Sequence, residues 1–552
     1  MTENASGSAL VRSSAVMASG TIISRITGVL RDVAAAAALG FYLVSDAFSL
    51  GNSLPTIVYI LIIGGALNAV FIPQLVRRMS EDEDQGKAYA DRLITLIVTA
   101  LLLLSIIAVL AAPLIVDLYT PSDYPTKEFD LAVAFARLCL PQVLFYGIYS
   151  ILGQVLNARG RFGAPMFAPI ANNVIAIATF LLFIAVAGTS AAADGELTTQ
   201  QILILGIGTT LGVIAQAIIL LPVLRRSGFH WKPRFDWKGA GLGKAGALAM
   251  WTIGLVLVNQ ATYVVITRLA TQANVDAAAA GTVAAGLTTY QKAHLVFMLP
   301  HSVITISIVT AMLPALSRIA HAGELRRVGS DVGTTMRTVA ALIVPIVAVL
   351  FVTGSDLAVL LFGYGAATPE QASLMGEVVS IFMIGLLPFT LFYVLLRGYY
   401  AMEDTRTPFF ITVALSLFWL VTVLPLFRIA PAGGAQVAMI ALTYSLSYWV
   451  GLALAWVLLA RRVGGLDSGR TIRSLLRICV AGLIALGIML GAHALLGRVF
   501  VDQLPDDKLV VLLILIVVTA LGAASYWAVA WALRIKEVSD VTKLLRRKVR
   551  QS

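Results

Sequence analysis

The fold is decided by residues 14–47, SAVMASGTIISRITGVLRDVAAAAALGFYLVSDA. The part from Val16 to Gly40 is long and apolar enough to cross a bilayer, which takes about 20 residues. It nevertheless contains Arg25, Arg31 and Asp32. An arginine at the centre of a bilayer costs about 2.5–3.5 kcal/mol on insertion scales. A helix that served only as an anchor would not carry two arginines.

One face of this helix consists of small residues. Gly20, Ser24 and Gly28 follow one another at steps of four, and Arg31 lies three residues beyond Gly28. Small residues let helices pack closely in lipid. We interpret the face as the wall of a polar cavity, and we expect the rest of the chain to surround it.

The composition is that of an all-α polytopic membrane protein. Of the 552 residues, 59% are hydrophobic and only 12% are charged, whereas soluble domains are about 25% charged. The mean hydropathy is +0.90. The net charge of +11 is explained by basic cytoplasmic loops rather than by nucleic acid. Cys139 and Cys479 both lie in apolar segments, so no disulfide framework is predicted.

Hydropathy predicts fourteen transmembrane spans. Their limits are 16–40, 45–76, 93–118, 131–156, 163–187, 200–224, 245–270, 280–317, 338–354, 370–402, 408–427, 434–460, 474–497 and 509–533. The span at 280–317 is long enough to be two short pieces or one tilted helix. If the N-terminus is cytoplasmic, thirty of the 40 Lys and Arg residues lie on the cytoplasmic side and four lie outside. This bias predicts that both termini are cytoplasmic.

The chain also contains an internal repeat. FIPQLVRR at 71–78 is similar to MLPALSRI at 312–319, and NARGRFGAP at 157–165 corresponds to YAMEDTRTP at 400–408. Six spans separate the copies, so the two halves have the same orientation, as in parallel repeats. We predict four parts: an N-lobe (1–226), a C-lobe (227–466), two additional spans (467–535) and a basic cytoplasmic tail (536–552). The tail ends in KLLRRKVRQS, which either binds anionic lipid headgroups or only fixes the topology.

Charged residues inside the spans are the candidate site. Arg25 and Asp32 are seven residues apart and share a face, so a structural ion pair is the alternative to a functional role for them. Ser24 and Arg31 share another face without an acid, so we expect Arg31 to point at an anionic ligand. Asp46 at the start of the second span could pair with either arginine. Arg397 and other arginines near span ends are explained by snorkelling.

The later spans add further candidates. Lys292 lies in the eighth span with His294 and His301 nearby. Two histidines without a neighbouring acid are a weak metal site, so we interpret them as polar residues that line a cavity. Glu377 in the tenth span is either a ligand for a coupling ion or a buried hydrogen-bonded carboxyl group. Asp32 is a second candidate for ion coupling.

Enzyme and nucleotide motifs are not supported by the sequence. GLGKAG at 241–246 follows a basic loop instead of a strand, which argues against dinucleotide binding. The chain has no Walker A sequence, so we expect no cofactor. We expect the energy to come from a coupling cation or from the membrane potential. A polyprenyl-phosphate transferase would need clustered acids or histidines on a loop. The only candidate, EDED at 81–84, is better explained as a solvated loop.

Several of these motifs together resemble a known family. SRITGVLRDVAAAAALG (24–40), SDAF, FIPQL, ARLCLPQV (136–143), LNARGRFGAPMFAPIANN (156–173) and RGYYAMEDTRTPFF (397–410) are similar to the bacterial lipid II flippases (MurJ/MviN). The resemblance implies fourteen helices, a central cationic cavity and a lipid-tail groove formed by the last two helices. It implies movement of lipid II, the peptidoglycan precursor, between the leaflets of the plasma membrane for cell-wall synthesis, with division or cell-wall proteins as partners.

The resemblance assigns substrate contacts to Arg25, Arg31 and Asp46. The chain departs from the family pattern at Tyr59 and Leu295, where many members have basic residues. Lys292 and His294 lie close to Leu295, so we expect them to take the place of the missing basic residue and to bind the substrate. Ser24 is expected to contact the substrate as well. The rival functions are an exporter of another lipid-linked glycan or of a drug, a polyprenyl-phosphate transferase, and a non-transporting scaffold. A drug-cation exporter would need an acidic cavity, whereas the charges here are mostly basic.

Overall fold

A computed structural model describes residues 2–63, 86–236, 246–501 and 508–538. Four predicted features lie outside these ranges: the second half of the second span with FIPQLVRR, the EDED loop, most of GLGKAG, and the basic tail. By their internal packing the residues form two compact units.

The first unit comprises Met1–Val275 together with Tyr364–Thr368. Its helices are α1 (Thr2–Leu39), α2 (Leu43–Ile63), α3 (Lys87–Leu110), α4 (Ala112–Tyr119), α5 (Thr126–Cys139), α6 (Gln142–Ala158), α7 (Gly163–Ala187), α8 (Thr199–Ile218), α9 (Leu220–Arg226) and most of α10 (Gly246–Ala280). The predicted lobe boundary at residue 226 stays a prediction.

The second unit comprises Asp276–Gly363 and Pro369–Ser552. Its helices are α11 (Leu287–Pro300), α12 (Ile306–His321), α13 (Leu325–Phe362), α14 (Pro369–Ala401), α15 (Arg406–Ile429), α16 (Gly434–Val463), α17 (Ser468–Leu496) and α18 (Lys508–Ala532). A π-helical turn at His301–Thr305 joins α11 to α12. The eighth predicted span is therefore one helix interrupted by a π turn.

The all-α membrane fold is confirmed. Within the described ranges, twelve helical stretches are long and apolar enough to cross a membrane, and none of the residues forms a strand. The twelve correspond in order to the predicted spans three to fourteen. The first two predicted spans fall on α1 and α2, so the predicted number of fourteen is close.

The helix packing within each unit supports the parallel repeat. In the first unit α3 packs on α6, α6 on α8, α7 on α8, and α2 on α5 and α6. In the second unit α13 packs on α14, α14 on α16, α15 on α16, and α11 on α14. These are the same four pairs of spans, displaced by six. Each unit thus repeats one arrangement of helices.

The last two helices, α17 and α18, lie outside the repeat and attach to α13. Arg337 of α13, which is 4% exposed, donates from Nε to Glu537 at 2.9 Å and from Nη1 to Thr471 at 2.7 Å. Farther along α13, Asp356 lies 2.6 Å from Nε2 of His493. Polar contacts near both ends of α13 therefore fix this helix pair to the second unit.

The basic segment after α9 folds back onto the start of α3. The indole of Trp231 donates to the hydroxyl of Thr95 at 3.3 Å. Asp236 accepts hydrogen bonds from Arg92 and Arg234, and these guanidinium groups lower the pKa of its carboxyl group. The segment is thus held by side-chain contacts although much of it is exposed.

Candidate functional site

Arg31 is the centre of a polar network between α1 and α7. Its Nη2 donates to Asp32 at 3.1 Å and its Nη1 donates to Oδ1 of Asn173 at 3.3 Å. The amide nitrogen of Asn173 donates to the hydroxyl of Thr27 at 3.0 Å and to the carbonyl of Ser24 at 3.1 Å. A guanidinium group has only donors, so it fixes the orientation of the amide. The Arg31 side chain is still 36% exposed. Two of its five N–H donors are used in these bonds, and the network holds the guanidinium group in place.

The predicted pairing of the charges on α1 is wrong. Asp32 binds Arg31, not Arg25, and Arg31 therefore does have an acidic partner. Arg25 is exposed and forms no ion pair with any residue that the structure describes. Helical spacing predicts where side chains leave the backbone, but the long guanidinium group of Arg31 reaches the adjacent residue.

The small-residue face of α1 packs against α7, so its interpretation as an open cavity wall is wrong. A Cβ atom at Gly20 would lie 3.0 Å from the ring of Phe167, and one at Gly28 would lie 3.7 Å from the amide nitrogen of Asn173. Small residues at these positions let the two helices approach closely, as is usual in membranes. The close approach brings Asn173 within reach of Arg31.

Asp46 is buried and joins α2 to α10. The residue is 1% exposed, and its carboxylate accepts a hydrogen bond from the amide of Asn274 at 2.8 Å. The same amide nitrogen donates to the carbonyl of Phe41 at 3.1 Å. The expectation that Asp46 pairs with Arg25 or Arg31 is therefore wrong. A carboxylate in the first turn of α2 also interacts favourably with the helix dipole.

Lys292 and His294 lie on α11 in the second unit, and both are half-buried. Nε2 of His294 lies 3.4 Å from the hydroxyl of Tyr444. The other predicted histidine, His301, is 1% exposed and packs edge-on against Phe389. Among the residues that the structure describes, no three His, Cys, Asp or Glu side chains are grouped so that they could hold a metal ion.

The two histidines belong to a cluster of rings that we call the aromatic surface. Its members are Tyr290, His294, Phe297, His301, Phe382, Phe389, Tyr393, Tyr444 and Tyr448. At one end of it the guanidinium carbon of Arg397 lies 4.1 Å from the centre of the Tyr393 ring. Arg397 thus stacks on a ring within the second unit, and its interpretation as a snorkelling arginine stays a prediction.

Glu377 is exposed on α14. The alternative that it is a buried hydrogen-bonded carboxyl group is therefore wrong. Its role as a ligand for a coupling ion stays a prediction, as does that of Asp32.

Asn173 and the aromatic surface as a unit are not among the site residues predicted from the sequence. Asn173 ends the quoted motif LNARGRFGAPMFAPIANN, but its contact with Arg31 spans 142 residues of chain. The rings on α11 and its π turn, at positions 290, 294, 297 and 301, have helical spacing. This helical spacing is the feature of the sequence from which part of the aromatic surface could have been predicted.

Comparisons with known proteins agree with this architecture. The model of the family described as "Lipid II flippase MurJ" matches residues 35–506. A "Probable lipid II flippase MurJ" of Rhizobium meliloti is 29% identical over 442 residues, covering 78% of each chain. The "Lipid II flippase MurJ" of Burkholderia cenocepacia is 23% identical and covers 94% of this chain and 96% of its own.

Two solved structures show a similar fold. A lipid II flippase MurJ in an inward closed conformation superposes with a TM-score of 0.69 at 20% identity, covering 93% of this chain and 98% of that one. An inward-facing multidrug transporter of the MATE family superposes with a TM-score of 0.61 at 12% identity, covering 81% and 96%. At these identities the likeness concerns the fold alone.

Proposed function

Because the chain belongs to the lipid II flippase MurJ family, whose model matches residues 35–506, we propose that it moves lipid II from the inner to the outer leaflet of the bacterial plasma membrane. Lipid II is a polyprenyl diphosphate that carries a sugar–peptide head group. Its movement supplies the precursor for peptidoglycan synthesis and so maintains cell shape. The two lobes would open alternately to the two faces of the membrane.

The main observation in support of this proposal is that Asp32 and Asn173 hold the guanidinium group of Arg31 in place. A diphosphate is a dense anion, and it must cross about 30 Å of hydrocarbon. A guanidinium group binds phosphate oxygens bidentately and is more weakly hydrated than an ammonium group. Asp32 and Asn173 orient Arg31 and leave it 36% exposed, so it can bind an anion without first being ordered. Arg25 and Ser24 are proposed as further contacts, whereas Asp46 is 1% exposed and bound to Asn274, so the substrate contact expected for it is not proposed.

The energy source, the membrane topology and the partners of the protein are also proposed. We propose that the protein is a transporter without enzymatic activity or a bound cofactor, driven by a coupling cation or by the membrane potential. Asp32 and Glu377 are the candidate groups for ion coupling. The excess of basic residues in the predicted cytoplasmic loops supports a cytoplasmic location for both termini. Anionic lipids at the basic tail and proteins of cell-wall synthesis or division are proposed partners.

Depletion in living cells tests the proposed function. After depletion, lipid II is expected to accumulate in the inner leaflet and to become inaccessible to a reagent that acts only from outside. Re-expression of the chain should restore access. Unchanged access after depletion, with no second flippase expressed, would reject the function.

The last two helices are predicted to be needed for the substrate but not for the fold of the lobes. A chain that ends near Arg470 loses Glu537 and leaves Arg337 without its carboxylate partner. Breaking such a pair typically costs about 3–5 kcal/mol. The truncation should therefore be combined with Arg337→Leu. We expect this chain to insert and fold but not to move lipid II.

The matched control is the full-length chain with Arg337→Leu and Glu537→Gln, which removes the same ion pair and keeps α17 and α18. It should still transport. Membrane insertion, thermal unfolding and lipid II access are measured for both chains. Full activity of the truncated chain would remove the proposed role of α17 and α18 in holding the lipid tail.

A further inference from the structure

The aromatic surface is built by three helices that each contribute one face. The ring-bearing positions are 290, 294, 297 and 301 on α11 and its π turn, 382, 389 and 393 on α14, and 444 and 448 on α16. The steps along each helix are all three, four or seven residues, so the ring-bearing residues of each helix lie on one side. Arg397 lies one turn beyond Tyr393 on the same face of α14.

The contacts form an unbroken path from Arg397 to His294. The successive separations are 4.1 Å from Arg397 to Tyr393, 4.7 Å from Tyr393 to His301, 4.6 Å from His301 to Phe389, 4.8 Å from Phe389 to Tyr448, 5.0 Å from Tyr448 to Tyr444, and 5.7 Å from Tyr444 to His294. Along α14 the distance from Phe389 to Arg397 is about 12 Å, at about 1.5 Å per residue. The surface is therefore long enough for two linked sugar rings and the phosphate that follows them.

Much of this path is open on one side. His294, Phe389, Tyr393, Tyr444 and Tyr448 are all half-buried, as is Arg397. A ring that served only to fill a core would be fully buried, as Phe297 and Phe382 are. The half-buried rings therefore present surface to a molecule outside the packed core.

Three buried polar atoms at this place lack hydrogen-bond partners in the described structure. They are Nδ1 of His301, Oγ1 of Thr305 and Nε of Arg397. Buried polar groups in folded proteins are satisfied in roughly 90% of cases or more. His301 and Thr305 are the first and last residues of the π turn, and such turns occur frequently at functional sites. Two of these atoms belong to His301 and Arg397 of the ring path itself, and unsatisfied polar atoms at this place favour a polar ligand.

We propose that the aromatic surface binds the saccharide of the substrate head group and that Arg397 binds its diphosphate. This inference rests on the proposed function and adds a contact surface within the second unit. The apolar C–H face of a sugar stacks on aromatic rings, and the tyrosine and histidine side chains offer hydrogen bonds to its hydroxyl groups. Stacking on Tyr393 holds the guanidinium group of Arg397, whose terminal N–H groups would then donate to phosphate oxygens.

Two probes separate the two parts of the surface. Purified full-length protein is titrated with undecaprenyl diphosphate, which has no sugar, and with lipid II. Arg397→Gln should weaken binding of both probes about tenfold or more, because charge-assisted hydrogen bonds are lost. Tyr448→Leu should weaken binding of lipid II about fivefold and leave undecaprenyl diphosphate unchanged.

The chain offers a matched control for each change. Arg406→Gln removes an exposed arginine on α15, and Trp449→Leu removes an exposed aromatic residue next to Tyr448 but outside the ring path. Both should bind both probes like the wild type. If Arg397→Gln aggregates, Arg397→Lys replaces it. Arg397→Lys keeps the charge but loses the planar fork, so both probes should still bind more weakly.

Two results would overturn the inference in different ways. If the wild type binds both probes and Arg397→Gln and Tyr448→Leu bind them equally well, the surface is only a packed core and the proposed function stands. If the wild type binds neither probe, the proposed function itself fails.

Discussion

A chain that carries Arg31→Gln is expected to reach the membrane and fold, yet to leave lipid II in the inner leaflet. Arg31 donates to Asp32 and Asn173, and it remains 36% exposed for a further anion. Hydrogen bonds to charged groups contribute about 1.5–3 kcal/mol each. The loss of a bidentate contact to the diphosphate should therefore lower transport about 100-fold or more. Complementation of a depleted strain and lipid II access are the measurements.

Lysine substitutions separate Arg31 from Arg25. Arg31→Lys should fail or be severely impaired, since an ammonium group is a point charge that cannot replace the planar fork held by Asp32 and Asn173. Arg25→Lys is the comparison. Lysine keeps the charge at this proposed contact, and exposed Arg25 has no ion pair in the described residues that the change would break, so we expect Arg25→Lys to lower transport less than Arg31→Lys. Normal transport by Arg31→Lys together with failure of Arg25→Lys would reverse the assignment.

Lys292→Ala is expected to abolish transport, and Lys292→Arg is expected to retain it. A ligand drives a conformational change only through contacts that differ between the two states. We propose that Lys292 is one cationic contact for the head group within the second unit. Lys292 is half-buried on α11, a helix long and apolar enough to cross the membrane. His294 is the second donor proposed at this place.

Transport by Lys292→Ala and by Lys292→Arg is measured together with the amount of each variant in the membrane. Normal movement of lipid II by Lys292→Ala would show that this lysine only reaches the membrane surface. Loss of transport in both variants, with normal insertion, would show that the position needs the shape of lysine and not its charge.

The helices were predictable because hydropathy reports what a bilayer can accept. The ninth predicted span, 338–354, is shorter than α13, which runs from Leu325 to Phe362. Its first three turns, LRRVGSDVGTTM, are too polar for a hydropathy window but still helical. Hydropathy thus predicts which part of a helix is apolar enough for the membrane and not where the helix ends.

The partners of charged side chains were predictable only in part. Arg31 was found because an arginine in an apolar helix is costly, but its contact with Asn173 depends on how α1 packs on α7. Arg397 was assigned to snorkelling from its place near the end of a span. Tyr393 and Tyr400 lie four residues before it and three after it, and both rings contact its guanidinium group. That local spacing could have been used, whereas the longer ring path joins three helices that are far apart in sequence.

Reconstitution tests the central claim most directly. The purified chain is placed in vesicles that contain labelled lipid II, and the fraction of lipid II that reaches the opposite leaflet is measured with and without an ion gradient or membrane potential. We predict transfer by the wild type and by Arg25→Lys, and none above empty vesicles by Arg31→Gln. Equal transfer by Arg31→Gln and the wild type, or no transfer by the wild type under any gradient, would contradict the account.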